Sequence, residues 1–156
     1  MVAAFTGGAG LEQKLREIAE KVGKANSVRV GFLEGATYPD GTPVPLVAAL
    51  NNYGTENSPP RPFFSNMVSE NKGDWPQVLA NVAKAADYDA ELTLGRMGEV
   101  IGGQLLDAIA DFTTPGLADS TIARKGFAKP LVDKGVMQNS ASYQVDDGEK
   151  VKVERT

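Results

Sequence analysis

The chain of 156 residues contains no cysteine and no histidine. Without cysteine, a disulfide-stapled scaffold and a thiolate metal site are both excluded. Without histidine, the chain lacks the commonest general base near neutral pH and the commonest ligand for transition metals. Any catalysis would have to rest on carboxylates, lysine or backbone donors, and no cofactor is expected. No apolar run approaches the ~18 residues needed to span a bilayer, so no membrane partner is expected. The opening MVAAFTGGAG has neither the basic flank nor the sustained apolar block of a signal peptide, and residues 1–10 read as a flexible arm.

What is present fits one folded domain over residues 11–156. The hydrophobic fraction is 42% and the charged fraction 23%, enough to build a real core at this length. The net charge of −4 gives the whole molecule no general attraction to a phosphate backbone or an anionic membrane.

The periodicity predicts an α+β fold, with a small antiparallel sheet packed against several helices. In residues 11–25, Leu11, Leu15, Ile18, Ala19 and Val22 share one helical face, and charged residues occupy the other. SVRVGFLE then alternates, with Val28, Val30 and Phe32 set against Ser27, Arg29 and Gly31, as in a half-buried strand. After the turn-rich loop GATYPDGTPVP, the run PLVAALNNYG predicts a short helix that Gly54 can end. One or two helical turns follow from about Pro62.

Residues 74–112 predict two helices divided near Asp87 to Asp89, with Asp74 as cap of the first. The second carries Gly95, Gly98, Gly102 and Gly103 within an apolar face. Each glycine costs about 1 kcal/mol relative to alanine at an exposed helical site, so close backbone packing is expected to offset them. A capped helical turn is expected at 118–126, then a loop and another short turn. The end of the chain predicts a hairpin, with Ala141, Tyr143 and Val145 on one side of Asp147-Gly148 and Val151 and Val153 on the other.

Motifs for chemistry are sparse. The glycine-rich residues 7–10 do not have the spacing of a phosphate-binding loop. Asp87, Asp89, Glu91, Asp146 and Asp147 stand where carboxylates cap helices and solvate turns, and they lack the ligand pattern of a calcium loop. Twenty acidic residues offer no means of choosing an acid–base pair. Arg124, Lys125, Lys129 and Lys134 alternate with Phe127, Leu131 and Val132, which suits a solvated loop or a charged complement for a partner protein. The stretch SPPRPFF at 58–64 is different. Its prolines hold Arg61, Phe63 and Phe64 in a fixed geometry at little entropic cost, and arginine and aromatics concentrate the energy of protein interfaces. At least one phenylalanine is expected to plug the core.

Two blocks of the chain carry a resemblance. VRVGFLEGATYPDGTPVPLVAALNNYGTENSPPRPFF (28–64) has a strand ending in V-G-F, a Y-P-D-G-T loop, a short helix ending in Y-G and a proline–arginine–proline–phenylalanine block. TIARKGFAKPLVDKGVMQNSASYQV (121–145) has K-P-L-x-D, then G-x-M and a strand. In this order, around a helical middle, they resemble the neck and tail-completion proteins of tailed bacteriophages, over about 62 of 156 residues. The matching positions are Gly31, Tyr38, Pro39, Asp40, Gly41, Tyr53, Gly54, Arg61, Pro62, Phe63 and Phe64 in the first block. In the second they are Lys129, Pro130, Leu131, Asp133, Gly135 and Met137. Lys134 replaces the usual threonine and Pro45 the usual alanine.

The resemblance implies a non-catalytic virion protein that forms a ring with copies of itself, nominally a hexamer, at the head–tail junction. Its partners would be head-side connector proteins and the tail tube or terminator, with DNA only passing through the lumen. It would reside in the virion neck or tail, and in the host cytoplasm during assembly. Subunit contacts are expected at Tyr38, Asp40, Tyr53, Arg61, Phe63, Phe64, Lys129 and Lys134. Rival readings are a tail terminator ring, a small phage or host adaptor docking through SPPRPFF, and a carboxylate-dependent hydrolase.

Overall fold

The computed structural model describes residues 7–112, 123 and 135–154. Among them the expected α+β order appears: six helices and a three-stranded antiparallel sheet. Helix α1 (Gly8–Val22) starts three residues before its apolar periodicity does, so residues 8–10, expected in the arm, form its first turn. The opening amides of a helix need no intrahelical acceptor, which lets the turn begin at Gly7, whose carbonyl accepts from the Leu11 amide at 2.9 Å. The helix ends at Gly23 rather than at residue 25.

Strand β1 (Val28–Phe32) pairs with β2 (Ala141–Val145), Val30 lying opposite Tyr143 and Phe32 opposite Ala141. Beyond the turn, β3 (Lys150–Lys152) completes the order β1-β2-β3. Antiparallel partners share a face, so Val28, Val30, Phe32, Ala141 and Tyr143 present one apolar surface. Helix α5 (Ala90–Asp111) covers it.

The α5 glycines explain how closely it does so. A Cβ on Gly98 would lie 2.5 Å from the Tyr143 ring, and one on Gly102 would lie 2.4 Å from a Val153 methyl group. Those two positions admit hairpin side chains directly against the helix backbone, which offsets the expected loss of helix propensity. Gly95 and Gly103 meet nothing within 4 Å.

The other described helices are α2 (Val44–Tyr53), α3 (Phe63–Asn71), α4 (Trp75–Ala85) and the short α6 (Val136–Ser140), which leads into β2. Trp75 of α4 donates from Nε1 to Gln104 Oε1 of α5 at 2.9 Å. The core gathers Val44, Phe63, Met67, Leu105, Ile109, Met137 and Ala141.

The break between α4 and α5 falls where expected. Asp87 and Tyr88 take left-handed backbone angles, and Asp89 caps α5 by accepting the Leu92 amide at 2.9 Å. Asp74 does not cap α4, contrary to the expectation. Its backbone is already helical (φ −91°, ψ −21°), and a capping side chain reaches its amide from an extended residue. The sequence features expected at 113–122 and 124–134, Lys129 and Lys134 included, lie outside the described residues.

Candidate functional site

The SPPRPFF corner is built by α2, the turn after it and the start of α3. Gly54 ends α2 at φ 79°, and a Cβ there would lie 2.7 Å from the Pro60 nitrogen, so the helix end and the proline pair are in direct contact. Thr55 and Ser58 close the intervening turn with reciprocal backbone bonds of 2.9 and 3.2 Å. The Arg61 amide donates to the Asn51 carbonyl at 2.7 Å, and the Phe63 amide to the Arg61 carbonyl at 2.7 Å around Pro62 (φ −78°, ψ 49°). That last geometry is an inverse γ-turn, in keeping with the fixed φ of proline.

Pro62 occupies the N-cap of α3 and has no side-chain acceptor to offer. Asn52 of α2 does its work from a distance. Its Oδ1 accepts the Phe64 and Ser65 amides at 3.1 and 3.0 Å, and its Nδ2 donates to Ser65 Oγ at 2.8 Å. Buried polar groups are costly unless paired, and here one buried amide side chain satisfies the start of the next helix. Sequence reasoning missed Asn52. The signal available was a proline at a helix start, which requires the cap to come from elsewhere.

The two phenylalanines divide the expected roles. Phe63 is 1% exposed and meets Phe32 edge-on at 6.3 Å between ring centroids. Phe64 is half-buried and stands edge-on to Phe63 at 6.4 Å, and its ring edge lies 3.5 Å from where a Gly31 Cβ would sit. Gly31 has φ 149°, backbone that side-chain-bearing residues rarely adopt. Between β1 and α2 this leaves an apolar cleft of about 290 Å³, lined by Phe64, Tyr53, Leu33, Pro45, Ala49 and others. Tyr53 stands at its rim, 76% exposed.

Of the expected contact residues, Tyr53, Phe63 and Phe64 therefore meet at one cleft, with Arg61 fixed beside it. Tyr38 and Asp40 belong to the preceding loop and do not line the cleft. Asp40 Oδ1 accepts the Thr42 amide at 2.9 Å, which holds its carboxyl below the usual range, and Tyr38 packs against the core. Their observed role is to shape the loop. Phe63 serves as core plug.

From the cleft rim at Tyr53 outward, α2 shows Leu46, Leu50 and Tyr53 to solvent, while Val44, Ala48 and Asn52 face inward. The ten residues of α2 include no charged side chain. This is an unusual surface, because charge is what normally keeps an exposed helix face in water.

A second region lies between α5 and the hairpin, where larger grooves of about 780 and 900 Å³ share Glu99, Tyr143 and Val151. Burial raises the Tyr143 hydroxyl pKa, and Glu99 adds to the effect. Three aspartates at or near these grooves, Asp87, Asp89 and Asp146, have structural partners. The Lys21 ammonium lowers the pKa of Asp87. The Leu92 amide and then Lys24 lower that of Asp89. Asp146 is lowered by the Ser27 hydroxyl and the Asn26 amide, which it uses to clamp the α1–β1 link to the hairpin turn. Among the described residues, no group of three or more acidic side chains is arranged to hold a metal ion. No helix there is long and apolar enough to cross a membrane. Compared with known proteins, the chain matches no family model, no curated protein and no solved structure.

Proposed function

We propose that the protein is a structural assembly component that binds copies of itself and forms a ring at the head–tail junction of a tailed bacteriophage. The observation that carries self-association is the charge-free, outward-facing stripe of Leu46, Leu50 and Tyr53 on α2, anchored to the SPPRPFF corner. Gly54 against Pro60, the γ-turn at Pro62 and the Asn52 cap hold that corner in place, so presenting it to a neighbour costs little further ordering. The head–tail location draws on the resemblance of residues 28–64 and 121–145 to neck and tail-completion proteins. No catalytic role is assigned, because the acidic residues with shifted pKa values serve as caps and clamps.

Native mass spectrometry of the recombinant chain, paired with cryo-electron microscopy of particles that carry it, tests this reading. The expected result is a concentration-dependent closed oligomer, with the same chain at the neck of the particle. A chain that stays monomeric throughout and is absent from particles would overturn it and favour the adaptor reading.

A further inference from the structure

On α1, Leu11, Leu15, Ile18 and Val22 follow one another at steps of four, three and four, the spacing of a helix–helix seam. Helix α1 nevertheless buries none of its residues, and Leu11, Leu15 and Val22 are 51–62% exposed. A helix of 15 residues is marginal in water unless tertiary packing covers its apolar face. The pairs Arg16–Glu12 and Lys14–Glu17 are exposed i,i+4 and i,i+3 contacts that add little. Its ties to other elements include the ion pairs Lys21–Asp87 and Lys24–Asp89, both at its C-terminal end.

The same molecule carries a second uncovered stripe. Leu46, Leu50 and Tyr53 on α2 are spaced by four and three and are 45–76% exposed. We infer that α1 of one copy docks its Leu11–Leu15–Ile18–Val22 seam onto the Leu46–Leu50–Tyr53 face of α2 in the next copy. This rests on the self-association proposed above and names the surfaces that would carry it.

Three considerations select this occupant. First, two α1 seams pairing antiparallel would set Lys14 against Lys21 of the other helix, a like-charge conflict. A parallel pair would have only two heptads, fewer than the three or four that sustain a coiled coil. Second, α2 offers no charge to be stripped of water, and charge is depleted at the centre of interfaces. The charges beside the α1 seam can remain at a solvated rim. Third, the six exposed side chains of the two stripes, at roughly 50–100 Å² each, supply on the order of 300–600 Å² of apolar surface, a fitting centre for a specific interface of ~1,200 Å². Each copy would give one helix and receive one, a heterologous contact of the kind that forms a ring when its rotation closes.

Contact with a second copy is favoured over folding back. Asp146 clamps Asn26 and Ser27, and Asp87 and Asp89 hold the last turn of α1 beside the α4–α5 junction. These ties root α1 at the α4–α5 junction and the hairpin turn, and none of them involves α2.

Because the chain has no cysteine, single thiols report the geometry directly. Leu15→Cys and Leu50→Cys chains are mixed and oxidised, with Ser69→Cys, on the exposed side of α3, as control. Since contact sites have an effective concentration near millimolar, the mixed disulfide should form ~10–100-fold faster than either like pair or any pair with the control. The double variant should give a ladder of covalent oligomers.

Each other pattern overturns the inference. Dominant Leu15→Cys homodimers would indicate an α1–α1 seam, and Leu50→Cys homodimers a symmetric α2 contact. An intramolecular bridge in the double variant would mean that α1 covers its own α2. Oligomers by native mass spectrometry with cross-linking only at control rates would sink this contact and leave self-assembly standing, whereas a persistent monomer would remove both.

Discussion

Along α5, Gly98 and Gly102 bring the Tyr143 ring and the Val153 side chain onto the helix backbone, whereas along α1 a comparably regular apolar stripe faces solvent at Leu11, Leu15 and Val22. Both segments announce an apolar face through the same periodicity. The difference shows that amphipathic spacing specifies that a helix needs a partner without specifying which molecule supplies it. In α5 the partner is the chain's own hairpin. For α1 the proposed partner is the next copy, and variants in the two helices should behave accordingly.

The largest effect on folding is expected at the α5 zipper. Gly98→Ala or Gly102→Ala would force a methyl into space held by Tyr143 or Val153. Overpacking should outweigh the gain in helix propensity and cost about 2–3 kcal/mol, read as a lower denaturant midpoint. An unchanged midpoint would remove the close-packing explanation. Next comes Asn52→Ala, which leaves the Phe64 and Ser65 amides without their acceptor and should cost ~1–3 kcal/mol. A substitution without effect would mean that the α3 start does not depend on this bond. Gly95→Ala or Gly103→Ala, with open space around the added methyl, should be neutral or stabilising by up to ~1 kcal/mol. Matching losses at all four glycines would erase the contrast within α5.

In α1 the same measurement should move little. Leu15→Glu is expected to change the unfolding free energy of the monomer by less than ~0.5 kcal/mol while abolishing oligomers in native mass spectra. A large loss of monomer stability would show that α1 is covered within its own chain.

The smallest effect concerns the anchor of α1. Asp87, Asp89 and Asp146 have lowered pKa values, so what they contribute is present above the ordinary carboxylate pKa and lost as pH falls through their folded values. Lys21 is raised by Asp87, so that side of the pair weakens only as pH rises through its raised value. Acidification from ~pH 5 to below the ordinary aspartate value of ~3.9 should therefore loosen the α1 root, while ~pH 5 to 9 leaves it unchanged. Carbon-13 carboxyl shifts of the three aspartates read this directly, and midpoints at the ordinary value would refute it.

The order helix, strand, helices, hairpin was legible because each period is a local property of the chain. The α4–α5 break at Asp87–Asp89 and the α2 end at Gly54 were legible for the same reason, since caps and left-handed turns act within a few residues. Part of the candidate site was legible too. Proline stiffness marked the SPPRPFF corner, and Phe63 plugs the core as one of the pair was expected to do. The separate position of Tyr38 and Asp40 was not legible, because it depends on where a loop leaves the body. The failed cap at Asp74 depended on backbone angles set by the turn out of α3.

The sequence by itself determined which segments become helix or strand, where α2 and α4 stop, and that α1 carries an apolar seam, because hydrogen bonding and side-chain period within a segment decide these. Only the tertiary structure decided that Gly98 and Gly102, and not Gly95 and Gly103, receive the hairpin, that Asn52 caps a helix it does not belong to, and that the seam of α1 and the charge-free face of α2 are left uncovered. Those outcomes depend on which surfaces meet across long stretches of chain, and a local period carries no information about its distant partner.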